Sequence, residues 1–177
     1  MKSNFTIICI VSVLVMPFSC KKDLATLNFN LSYQVSFTIP ATTGINLPVS
    51  VPTPDVTTNS SQQFKNEGTN ASLVSSVTLN SLKLTITNPS GQTFTFLKSV
   101  QIYLSAPGLS EKEVAFINEV PNNPGNSLNL NVTGEDLSGF IKSNTFSMRM
   151  QVIIDQTLLQ DITVQANMDF AVTAKLL

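Results

Sequence analysis

Histidine and tryptophan are absent from this chain of 177 residues, cysteine and tyrosine occur twice each, and arginine once, as Arg149. Without histidine the chain lacks the commonest general base and the commonest transition-metal ligand. Without tryptophan, and with only Tyr33 and Tyr103, it is poorly supplied with sugar-stacking aromatics. A single arginine removes most bidentate anion clamps. Charged residues make up 12% of the chain, ten basic against eleven acidic. That balance leaves no electrostatic footprint for nucleic acid or for anionic lipid heads. Both cysteines, Cys9 and Cys20, lie in the first twenty residues, so disulfides are excluded from everything that follows. A serine hydrolase would need a Ser-Lys arrangement here, and no Ser-X-X-Lys motif stands in a suitable context. These absences point to a chain that is not an enzyme and carries no cofactor.

What is present begins with Lys2 and the apolar run Phe5 to Val15, FTIICIVSVLV. Eleven residues make a signal-peptide core, whereas a membrane-spanning helix needs roughly 20. The run is followed by VMPFSCKKD, with Ser19 before Cys20. This stretch resembles a bacterial lipoprotein signal, although Pro17 and Phe18 stand where that signal usually has an aliphatic and a small residue. The resemblance implies cleavage before Cys20, acylation of that cysteine and attachment to a membrane. Lys21 follows the cysteine where an aspartate would resemble an inner-membrane retention signal, which favours the outer membrane. Lys22 and Asp23 are also similar to the surface-export signals of Bacteroidota lipoproteins. One acyl chain holds a protein only marginally and two or more hold it stably. The expected organisation is residues 1–19 as signal peptide, 20–26 as lipidated tether, and 27–177 as one domain. Removing residues 1–19 from 177 leaves 158, enough for a single core.

That domain is patterned for strands. From Leu27 to Ile39, every odd position is apolar, and Ile162 to Leu176 repeats the period at its even positions. Phe146 to Ile154 alternates likewise, and 155–161 is expected to turn it back as a hairpin onto the last strand. Between Val77 and Thr87 the apolar phase slips by one residue, which predicts a β-bulge at Asn80 or Ser81. Further strands are expected over Thr93–Ser105, Lys112–Glu119 and Leu128–Val132, with turns at Asn88-Pro89-Ser90-Gly91 and Ala106-Pro107-Gly108. One short helix is expected after Thr133-Gly134-Glu135-Asp136, with Leu137, Phe140 and Ile141 on one face; a helical turn at Ala71–Ser75 is a second. The prolines and polar residues of Pro40 to Asn70 predict an irregular connection, with at most an edge strand near Leu47–Val51. The fold expected is all-β, an antiparallel immunoglobulin-like two-sheet sandwich of seven to eight strands with one or two short helices. The stretch Val77 to Pro89 is similar to strands of late-embryogenesis-type and fibronectin-like sandwiches, a likeness that implies no functional residues.

Candidate sites are few. Glu111 with Glu113, and Glu135 with Asp136, are paired carboxylates of the kind glycosidases use, but neighbours in sequence on a turn or strand point apart. Phe64, Tyr103 and Phe140 are either core or exposed contacts for a protein or carbohydrate partner. The function expected is a membrane-anchored, non-enzymatic binding module at the outer membrane, its site residue Cys20 and its further partner open. The alternative is a carrier or assembly factor for lipid or another apolar ligand, which requires an open cavity between the sheets. Pro40 to Asn70 is either a binding loop or slack. If it is a binding loop, shortening Thr57 to Asn70 leaves stability nearly unchanged.

Overall fold

The computed structural model describes residues 25–41 and 44–177. The signal region and Cys20 lie outside the described residues. Alternation of apolar and polar side chains makes Thr26–Ile39 a continuous strand, β1, and Ile162–Lys175 another, β10. They pair antiparallel from Thr26 opposite Lys175 to Ile39 opposite Ile162, with no slip in register. On its other side β10 pairs with β4 (Val74–Asn88), whose free edge carries the short β7 (Ser127–Asn129). Along β4 the register jumps from Ser81 opposite Asp169 to Leu79 opposite Phe170. Asn80 is therefore the bulged residue, as the phase slip predicted, and Val77, Leu79, Leu82, Leu84 and Ile86 all stay buried.

The second sheet is centred on β9 (Thr145–Ile154), paired with β5 (Leu97–Ala106), which continues to β6 (Leu109–Ile117) and β8 (Asn131–Val132). The outer side of β9 carries β2 (Pro48–Pro52) and β3 (Val56–Thr57) in succession. Between them the Thr53 backbone N–H donates to the Met148 carbonyl at 2.9 Å. That bond sets the parity of the edge: residues 49, 51 and 53 face β9, so Pro48 and Pro52 sit where an amide would point outward and sacrifice no ladder bond. Prolines that forbid a central strand thus permit this one.

All antiparallel and two-layered, the fold is the expected β-sandwich, with ten strands where seven to eight were expected because several are very short. The inner faces of both sheets meet in one apolar core. Its middle is a three-ring cluster. Tyr33 stands edge-on to Phe146 (centroids 5.5 Å, 89°) and to Phe170 (5.8 Å, 71°), and Phe146 and Phe170 lie 6.3 Å apart. Rings from β1, β10 and β9 therefore tie the two layers together, each pair adding about 0.5–1.5 kcal/mol beyond the area it buries.

Four expectations need correction. Residues 155–161 do not form a hairpin: β9 and β10 belong to different sheets, and the connection crosses between them with Leu158 buried. Leu128–Val132 is two strands, because the chain changes sheet at Leu130, whose N–H still donates to Leu82 O at 2.9 Å. Ala71–Ser75 is a turn and a strand start: Leu73 N–H donates to Asn70 O, and β4 begins at Val74. The expected helix, α2, spans Ser138–Lys142, a turn later than the Thr133 cap implied. Asp136 precedes it, accepting from Ser138 N–H and Oγ–H, while Leu137, Phe140 and Ile141 are buried as their spacing predicted. This helix packs against β4 of one sheet and β5 and β9 of the other, closing one end of the sandwich.

Candidate interaction surface

The segment read as irregular, 40–70, is the least expected part of the molecule. Besides β2 and β3 it contains a helix, α1 (Ser60–Asn66), whose single aromatic, Phe64, is wholly buried against Phe29 (centroids 6.2 Å). Four of its polar residues, Thr53, Thr58, Ser60 and Thr69, are buried, and the three threonines stitch the segment to the sandwich. Thr53 Oγ1 donates to Met148 O at 2.7 Å, Thr58 Oγ1 to Ser143 O at 2.6 Å, and Thr69 Oγ1 to Lys175 O at 2.6 Å. The segment is neither slack nor a free loop. Its hydroxyls add bonds to sandwich carbonyls beyond those of the short β2 and β3 ladders.

Tyr33 joins this segment to the core. Its hydroxyl donates to Thr58 O at 3.0 Å, and burial pushes its pKa up to about 12. Because the folded value lies above the unfolded one of ~10, the buried neutral phenol stabilises the fold fully below the unfolded value, and that stabilisation is lost as pH rises through the folded value. Tyr33→Phe is expected to cost about 0.5–1.5 kcal/mol at neutral pH and to delete the late phenol ionisation from an ultraviolet titration. A late step that survives the substitution would remove Tyr33 from this role.

Between the edge of β1 at Ser32–Ser36 and the stretch 54–59 runs an open groove of about 520 Å³, also lined by Gln63. Gln63 Oε1 is buried and finds no donor among the described residues. Next to it, on the outer face of the four-stranded sheet, Asp169 accepts from Asn30 Nδ2 (3.0 Å), Ser32 Oγ (3.1 Å) and Asn80 Nδ2 (3.1 Å). That carboxylate accepts three bonds from neutral polar side chains.

Three of the four paired acids are tied to other groups. Glu111 forms a two-pronged bridge with Arg149, Nε–Oε1 2.8 Å and Nη2–Oε2 2.6 Å, and the guanidinium lies 4.3 Å over the Tyr103 ring. Hydrogen bonding from Arg149 lowers the Glu111 pKa, and Glu111 raises that of Arg149. Glu113 lies opposite Tyr103 in the ladder. Glu135 pairs with Lys112 at 3.0 Å. Burial opposes ionisation of Asp136, but bonds from the Val77 and Ser138 N–H groups and the Ser138 hydroxyl outweigh it and lower its pKa. Each of Glu111, Glu135 and Asp136 is therefore held in a structural contact. Among the described residues no group of three or more His, Cys, Asp or Glu is placed to hold a metal ion. Phe64 and Phe140 are core residues, and Tyr103 lies half-exposed on the outer face of the six-stranded sheet. The turns at Pro107 and Asn122 border shallow polar clefts of about 250 and 440 Å³. No described helix is long and apolar enough to cross a membrane.

No family model matches the chain, and no curated protein matches it in sequence. Among solved structures, the chain is similar to the decameric BFDV capsid protein, at 12% identity and TM-score 0.41, covering 85% of this chain and 100% of that one. It also aligns with a chain of Desmodium yellow mottle tymovirus, at 12% identity and TM-score 0.26, covering 100% and 98%. Both likenesses are too weak to transfer a function.

Proposed function

We propose that the chain is a lipoprotein of the outer membrane, held by acylated Cys20, whose sandwich is a non-enzymatic interaction module. The observation that carries the module reading is the filled interior. Tyr33, Phe146 and Phe170 occupy the middle of the space between the sheets, and Phe94, Phe96 and Phe64 are buried around it. The clefts described above open on the surface, and those beside β1 and at Asn122 are mostly polar-lined. A carrier of apolar ligands would need open space where those rings stand, so the interaction reading is preferred. The acids most plausible for catalysis are engaged in ion pairs and helix-start bonds. A ligand is left with the outer faces and the sheet edges.

The anchor reading rests on the apolar run, Ser19 and Cys20. Only residues 21–25 separate the acylated cysteine from β1, a reach of about 20 Å when extended, so the module would sit close to the bilayer. Cys20→Ser is expected to move the protein from washed membranes to the soluble fraction, and incorporation of labelled fatty acid is expected to disappear with it. A variant that stays in carbonate-washed membranes would overturn the anchor.

A further inference from the structure

Three of the four sheet edges are protected in the ways natural proteins protect them. β7 has three residues and β8 two, and the β2–β3 edge is interrupted by Pro48, Pro52 and Pro54. The fourth edge is β1. It runs for 14 residues, TLNFNLSYQVSFTI, without proline, charge or bulge.

The direction of its free backbone groups follows from one bond. Leu176 N–H donates to Ala25 O at 3.1 Å, in line with the β1–β10 register. Odd-numbered residues of β1 therefore bond to β10, and the amides and carbonyls of Thr26, Asn28, Asn30, Ser32, Gln34, Ser36 and Thr38 face outward. Among the described residues none of those backbone groups has a partner on that side. Side chains of the same residues lie on the outer sheet face, and Asn28, Asn30 and Ser32 are drawn back over β10 by bonds to Thr173 and Asp169. The open groove along Ser32–Ser36 leaves room beside the edge.

We propose that this edge pairs with β1 of a second copy of the chain, antiparallel about a two-fold axis, joining two four-stranded sheets into one of eight strands. A second copy fits because the outward set is uncharged from end to end, so self-pairing sets no like charges opposite each other. Full overlap places Ser32 opposite its own copy, Asn30 opposite Gln34 and Asn28 opposite Ser36. The seven outward residues then exchange about fourteen backbone bonds. The proposal does not depend on the lipid anchor.

The test is oxidative cross-linking of single added cysteines in the full chain, read in both membrane and soluble fractions as a band of doubled mass that the unsubstituted chain, which keeps Cys20, does not give. Ser32→Cys is expected to link to itself, because directly opposed Cβ atoms lie about 4.5–5.5 Å apart. Asn28→Cys and Ser36→Cys are each expected to stay unlinked alone and to link when co-expressed. A self-link maximum at Asn30→Cys or Gln34→Cys would support the same pairing with the register slipped. Adding Gln34→Pro to Ser32→Cys is expected to reduce the doubled band at least tenfold, because proline removes an outward amide and no bond to β10. If that variant melts early, Ser32→Lys, read on the co-expressed Asn28→Cys and Ser36→Cys pair, sets two ammonium groups opposite each other and is expected to suppress the link. The proposal is overturned if no position from 28 to 38 self-links in folded protein, or if the cysteines link instead to a protein of a different mass.

Discussion

Phe170→Ala is expected to lower the free energy of unfolding by about 3–5 kcal/mol, the range for deleting a fully buried aromatic. Phe170 is wholly buried at the middle of β10, and its ring meets Tyr33 of the same sheet and Phe146 of the other. The truncation removes two edge-to-face contacts together with the buried area. Collapse into the hole is resisted because Tyr33 is pinned by its bond to Thr58 O and Phe146 by the pairing of β9 with β3, where it lies opposite Val56. For a chain of this size each kcal/mol corresponds to about 2–4 °C, so the thermal midpoint is expected to fall by roughly 6–20 °C. Denaturant unfolding with an unchanged slope checks the assignment to packing. A loss below about 1 kcal/mol would show that the three rings do not bridge the layers.

The second large effect concerns the segment that sequence alone leaves between a binding loop and slack. Replacing Thr57 to Asn70 by a Gly-Ser bridge is expected to destabilise by several kcal/mol, where the free-loop reading gives almost no change. Phe64 is fully buried, and its loss alone is worth about 3–5 kcal/mol. Thr58 and Thr69 each supply a buried hydroxyl bond, to Ser143 O and Lys175 O, worth about 1 kcal/mol apiece. Gly68 O also accepts from Leu177 N–H, so the excision unfastens the end of β10. An unchanged melting curve for the excised protein would return the segment to the status of a connector.

The parts of the fold that could be read from the sequence are those in which a local pattern decides burial. Seven apolar residues at period two leave β1 no other way to hide them, and the phase slip in β4 calls for a bulge at Asn80 or Ser81, which the structure places at Asn80, because an unbulged register would expose one half of the strand. The unread parts depend on contacts distant in sequence. In α1, SSQQFKN, there is one apolar residue, and its start at Asn59 is a left-handed residue with no side-chain cap, so neither periodicity nor capping marks it. A seven-residue connection between two alternating strands reads the same whether it makes a hairpin or an arch between sheets. Only the pairing of β10 with both β1 and β4 makes 155–161 an arch. The groove beside β1 was invisible for the same reason, since Ser32–Ser36 and 54–59 meet only in three dimensions. Of the candidate side chains, Phe140 was readable as core from its helical spacing, whereas the Glu111–Arg149 bridge joins β6 to β9 and has no local signature.

The pairing of β1 with β10 also sets the order in which this molecule can fold. Partners along that ladder are separated by 123 residues at Ile39–Ile162 and by 149 at Thr26–Lys175. β4 waits for the same strand, since β10 lies between β1 and β4 in the sheet. A chain delivered amino-terminus first therefore has its earliest strand exposed and unpaired until its last one arrives, and closure of so long a loop is slow. Such a layout keeps the four-stranded sheet open throughout synthesis and lets it assemble in a single late step, once β10 is available to pair with both neighbours.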